Sequence, residues 1–165
     1  MNFEIKDIAT LEKVILTDAV PVQNFPKSLV FPFSDWYRSI VTSIKTMVIA
    51  GDSILYNAPE AVNESKEFNT TTLWCFAGSG TGDRWLFDED EMVFYYDHDF
   101  DEGFIPLYIT LKQWLQMSFL FRQLEDYIDS GQKTTATLIT SFKNTLKKIH
   151  PDLEENYPYL ISSSI

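Results

Sequence analysis

Trp74-Cys75-Phe76-Ala77-Gly78-Ser79-Gly80-Thr81-Gly82-Asp83-Arg84-Trp85-Leu86-Phe87-Asp88, then an acidic turn, then Val93-Phe94-Tyr95-Tyr96-Asp97-His98-Asp99, is the stretch on which the reading of the fold depends. Two short apolar and aromatic runs flank a glycine-rich turn, and a third follows the acidic one, which is how an antiparallel meander reads in sequence. Gly78, Gly80 and Gly82 alternate with Ser79 and Thr81, so the backbone can take positive φ there without a Cβ clash. Asp83 can fold its carboxylate back onto nearby amides.

A glycine-rich loop invites a phosphate-binding reading, and the residues that follow argue against it. A P-loop needs a lysine and a hydroxyl residue directly after its last glycine, whereas Asp83 follows Gly82 and its charge would repel phosphate. A dinucleotide fingerprint needs its third glycine one place later and a helix after it, but Arg84 to Phe87 reads as strand. The loop is therefore read as a shaped structural turn.

Taken that way, the stretch resembles the SUKH superfamily, the Smi/Knr-like proteins. The likeness runs through Phe76 to Asp83 with its closing Gly82-Asp83, the aromatic strand begun by Trp85, the strand Val93 to Tyr96, the His98-Asp99 loop, and the approach from Ile105 to Leu115 into a helix. It is best over residues 73–124. The resemblance implies one α+β domain spanning 1–165, with helices packed on one face of a mainly antiparallel sheet. Its structural motif residues here would be Gly78, Gly80, Gly82, Asp83, Trp85 and His98.

Composition agrees with a folded domain. A chain of 165 residues that is 45% hydrophobic, with 13 Phe, 8 Tyr and 4 Trp, has ample material for one core despite its net charge of −11. The single Cys75 has no disulfide partner and sits between Trp74 and Phe76 in a strand, so it reads as a buried, inert thiol. The beginning of the chain lacks a basic region followed by an apolar run, and no stretch is long enough to span a bilayer, which gives the expectation of a cytoplasmic protein. Asn63-Glu64-Ser65 and Asn69-Thr70-Thr71 match the glycosylation pattern and, without a secretion signal, read as chance.

Outside the meander, Asn2 to Ile8 suits a strand or the lead-in to a helix from Thr10. Pro21, Pro26 and Pro32 mark an ordered connector whose Phe25, Phe31 and Phe33 must pack somewhere. Capped by Ser34 or Asp35, residues Trp36 to Val48 show a helical stripe ending near Gly51. Asp52 to Tyr56 reads as a short strand, and Asn57 to Asn69 as a loop with at most one helical turn. Thr110 is the expected N-cap of a helix running to Gly131, and a last helix spans about Thr134 to His150 before Pro151.

For chemistry, the acidic residues are uneven: Asp83, Asp88, Glu89, Asp90, Glu91, Asp97, Asp99, Asp101 and Glu102 stand against Arg84 alone. The bland reading is a solvated rim. Asp97-x-Asp99-x-Asp101 echoes a calcium loop, but Glu102 occupies the glycine position and no closing glutamate follows. A dyad of His98 with Ser79 or Cys75 would need contact that sequence does not supply, and two histidines with one cysteine are too few for a zinc site. No metal or other cofactor is expected, and nucleic acid is disfavoured by 24 acidic against 13 basic residues.

The resemblance implies a non-enzymatic protein-binding domain, most often an immunity protein that neutralises a cognate bacterial polymorphic toxin, frequently a nuclease. A regulatory or scaffold module of the Smi/Knr type is the alternative, and a metal-dependent enzyme using Asp97, His98, Asp99 and Asp101 the third reading. An acidic surface interleaved with aromatics suits a toxin with a basic face. The expected contact residues are Asp97, Asp99, Phe100, Asp101, Glu102 and Phe104. Alternate turns of a meander fall at opposite ends, so the Gly78–Asp83 turn should share an end with the 97–103 loop, away from Asp88 to Glu91.

Overall fold

A computed structural model describes residues 1–100 and 103–161, and it gives an α+β chain. Among the described residues the sheet has six strands in meander order, all antiparallel: β1 (Met47–Ala50), β2 (Ser53–Leu55), β3 (Trp74–Gly78), β4 (Arg84–Phe87), β5 (Met92–Tyr96) and β6 (Ile105–Thr110). The meander read over 73–109 is thus extended on one side by the hairpin of β1 and β2.

That hairpin corrects the sequence reading of one long helix from Trp36 to Val48. The helix α2 (Asp35–Val41) starts at Ser34, whose hydroxyl accepts from the Tyr37 amide at 3.1 Å, and it stops after two turns. The Thr42 hydroxyl donates to the Arg38 carbonyl at 2.7 Å, while the amides of Val20 and Gln23 in the connector donate to the carbonyls of Ser43 and Thr42. These bonds satisfy acceptors that a continuing helix would have used, and β-branched Val48 and Ile49 then pair as strand.

A second correction concerns Asn57 to Asn69, which holds the eight-residue helix α3 (Ala58–Ser65) where a loop with at most one helical turn is expected. Asn57 caps it by accepting from the Glu60 amide at 3.0 Å. Pro59 lies in its first turn, where a missing N–H costs nothing, so the residue that reads as a breaker is a starter.

Of the remaining helices, all but the last fall near their expected bounds, and the last is not among those expected from the sequence. Asp7 caps α1 (Ile8–Ile15), which settles the open choice at the N-terminus in favour of helix. Thr110 and Gln113 form a reciprocal capping box at the start of α4 (Leu111–Asp129). Thr135 caps α5 (Ala136–Ile149), and a short α6 (Leu153–Asn156) follows Pro151. Lys143 and Lys147 both reach Glu154 of α6, at 3.0 and 2.9 Å.

Successive strand residues point to opposite faces, and the contacts sort accordingly. On one face Phe76 and Trp85 meet Trp114 of α4, with ring centroids 4.8 and 6.0 Å apart, and α1 and α5 pack against α4. The connector joins this side through Phe33, edge-to-face with Trp74 at 4.8 Å, while the Trp74 indole N–H donates to the Tyr37 hydroxyl at 2.8 Å. On the other face Arg84 pairs with Glu64 of α3 at 2.5 Å, and Phe68 meets Tyr96 at 5.0 Å. The long helix therefore covers one face and α3 part of the other, which leaves β3 and β4 buried almost throughout. Cys75 is fully buried, and burial raises its thiol pKa far above the ordinary range. No helix among the described residues is long and apolar enough to cross a membrane.

Candidate functional site

The glycine turn and the loop after β5 meet at Asp83. This residue is only 4% exposed, yet it is ionised in an aromatic setting because five donors converge on it. Its Oδ1 accepts from the His98 ring at Nδ1, 2.8 Å, and from the His98 amide, 3.2 Å. Its Oδ2 accepts from the hydroxyls of Tyr159 at 2.7 Å and Thr81 at 2.9 Å, with Ser79 farther off at 3.4 Å. Burial pushes the carboxyl pKa up, but the bonds from His98, Tyr159 and Thr81 outweigh it and hold the group well below the usual carboxylate range.

The local sequence builds this arrangement directly. Ser79 closes the turn by accepting from the Asp83 amide at 3.0 Å, and the Gly80 amide donates to the Gly51 carbonyl at 2.8 Å, tying the β3–β4 turn to the β1–β2 turn. Gly82 sits at φ +106°, and a Cβ there would lie 3.3 Å from the His98 ring. Gly78 admits the Tyr56 hydroxyl, which would stand 2.0 Å from an added Cβ. Both glycines are therefore required by the geometry, as the turn chemistry suggested.

His98 holds the loop from the other side. Its ring bonds Asp83, and its Nε2 lies 3.2 Å from Asp99 Oδ1, so the partner carboxylates favour the imidazolium: the bond to Asp83 first, then the charge of Asp99. Asp97 accepts from the Asp99 amide at 2.9 Å and shapes the loop. Beyond that anchor the Asp99 side chain is 72% exposed and Phe100 62% exposed. Phe104 is instead half-buried against Phe68 and Tyr96. Asp101 and Glu102 lie outside the described residues. Trp85 is fully buried, its indole N–H donating to the Asp52 carbonyl at 2.7 Å.

Among the described residues, Asp83, Asp97 and His98 bring one ligand atom each within 4.8 Å of one another. A cation there would have to displace the donors that already occupy both Asp83 oxygens and the proton on His98 Nδ1. Nor is a nucleophilic dyad assembled among these residues. The Ser79 hydroxyl is engaged with Thr81 and Asp83, and Cys75 lies buried with its thiol 3.8 Å from the Ala77 carbonyl.

Sequence reasoning missed the chain after α6. Tyr159 reaches across to Asp83, and Tyr157 stacks on Phe121 at 4.4 Å. Two tyrosines flanking Pro158, followed by Leu160 and Ile161, were a usable signal of a packed tail rather than a free one. Comparison with family models, with curated proteins and with solved structures gives no match for this chain.

Proposed function

We propose that this chain is a non-enzymatic protein-binding domain of the immunity-protein kind, which neutralises a cognate bacterial toxin by docking the loop after β5 onto a basic face of it. One observation carries the reading: Asp99 and Phe100 stand out from a loop whose base is fastened to the core through His98 and the buried Asp83. A rigid base lowers the ordering cost of binding, an exposed aromatic supplies an anchor, and the carboxylates steer a basic partner. Support also comes from the net charge of −11 and from the SUKH-like pattern at Gly82-Asp83 and His98-Asp99. In this reading the site serves binding, with His98 held between the carboxylates of Asp83 and Asp99.

The test is co-expression. The neighbouring gene is expected to encode a large secreted protein with a variable toxic C-terminal domain, and the chain should restore growth to cells producing that domain and co-purify with it. Failure to protect, with both proteins folded and no complex formed, would overturn the immunity reading.

A further inference from the structure

A cavity of about 410 Å³ opens between the β1–β2 turn, the C-terminal half of α4 and the chain after α6, with Asp52, Phe121, Glu125, Asp129, Tyr157 and Tyr159 in its wall. Small-ligand pockets run from roughly 300 to 1,000 Å³ and combine an apolar wall with a few placed polar groups. This one does so with a single sign of charge. Phe121 and Tyr157, stacked on each other with ring centroids 4.4 Å apart, supply part of its apolar wall, whereas the charged groups among the described lining residues are all carboxylates and include neither Lys nor Arg.

Among the described lining residues these carboxylates face one another with no Lys or Arg between them. Burial pushes the Asp52 carboxyl up to about 6; a bond from the Ser53 hydroxyl opposes this, and the charge of Glu125 adds to it. Glu125 is fixed in place by accepting from the Gly51 amide at 2.8 Å. Ionised at neutral pH, Asp52 burdens the fold, and a cation lodged beside it would relieve both its burial and its repulsion with Glu125.

The cavity also lies beside the proposed interface. Gly51 is bonded to Gly80 of the β3–β4 turn, and that turn carries the Asp83 on which the His98 loop rests. We infer that this cavity receives an arginine side chain presented by the protein partner, its stem along the Phe121–Tyr157 wall and its guanidinium between Asp52 and Glu125. Guanidinium fits better than ammonium because it is planar, stacks on rings and offers several N–H donors to paired carboxylates. The inference rests on the protein-binding reading, but its test does not need the partner.

Nα-acetylarginine amide is titrated into the folded chain while NMR signals of Gly51, Phe121 and Tyr157 are followed. Saturable shifts in the range of about 1 mM are expected, with the neutral isostere Nα-acetylcitrulline amide weaker by about tenfold or more. Glu125→Gln keeps an acceptor for the Gly51 amide while removing charge, and it and Asp52→Asn should each weaken arginine binding about tenfold. Equal binding of the citrulline amide, or of the lysine analogue, would overturn the assignment to guanidinium, as would shifts that ignore both substitutions. Asp99→Ser should leave the arginine titration unchanged, so a failed immunity reading leaves this result standing, and a failed titration beside intact neutralisation sinks the pocket alone.

Discussion

The two acidic turns at opposite ends of the sheet resemble each other in composition and differ in use. At the far end, Asp88 Oδ1 accepts from the amides of Asp90 and Met92, at 3.0 and 2.9 Å, and holds its own turn together. Glu91 bonds the Ser34 hydroxyl at the start of α2, and its carbonyl accepts from the Leu111 amide at the start of α4, 2.8 Å. It does this at φ +58°, a strained setting for a residue with a Cβ, so the turn is over-determined by its contacts. At the near end one acid, Asp83, is buried to fasten three segments, and that leaves Asp99 beside it exposed on a fixed base. Charge density alone does not separate an acid that holds a turn from one that stands exposed beside it; the hydrogen-bond partners and the burial do.

The largest expected effect lies at Asp83. Asp83→Ala leaves His98, Tyr159 and Thr81 without their acceptor and should cost about 3 kcal/mol in urea unfolding, since bonds to a buried charge are worth more than neutral ones and unmade partners remain. A loss no greater than that of an exposed acid would break the contrast. At the far end Asp88→Ala removes two backbone amides' acceptor and should cost about 1–2 kcal/mol, in the manner of a lost cap. Tyr159→Phe removes one hydroxyl from Asp83 and should cost about 1 kcal/mol. The same variant should speed amide exchange in residues 157–161 while leaving Asp88 to Met92 unchanged, which sharpens the division between the ends.

The near end also carries a pH dependence. Asp83 is held low in the folded state, so its contribution is present above its unfolded value of about 3.9 and is lost as pH falls through the folded value. His98 is raised, so its contribution is complete below about 6.5 and is lost as pH rises through the folded value. Stability should therefore decline on both sides, with Asp83→Asn flattening the acid limb and His98→Gln the alkaline one. Equal pH curves for wild type and His98→Gln would contradict the contact to Asp83.

Much of this architecture is legible where the information is local. β3, β4 and β5 follow from aromatic runs bounded by turns, and α4 from an apolar stripe behind the Thr110 cap, because period and capping act over a few residues. Met47 to Ala50 misleads for the same reason: its apolar residues continue the spacing of α2, while the bonds that end the helix include long-range ones, from the connector's amides to the carbonyls of Thr42 and Ser43. Gly82-Asp83 and His98 stand out as a pattern, yet the use of Asp83 depends on Tyr159, 76 positions away, and no local rule brings them together. The cavity beside Glu125 was illegible for that reason, since three distant segments enclose it.

We propose that the near loop, and not the far turn, meets the toxin partner, and the association rate with that toxin at low and high salt tests this most directly. Asp99→Ser, Asp101→Ser and Glu102→Ser together should slow association about tenfold at low salt and flatten its salt dependence. Asp99→Ser alone should leave folding stability within about 1 kcal/mol of wild type, because its side chain is 72% exposed and an exposed charge contributes little. Glu89→Gln with Asp90→Asn should leave the rate unchanged. An unchanged low-salt rate in the loop variant, or equal slowing by the far-turn variant, would contradict the claim.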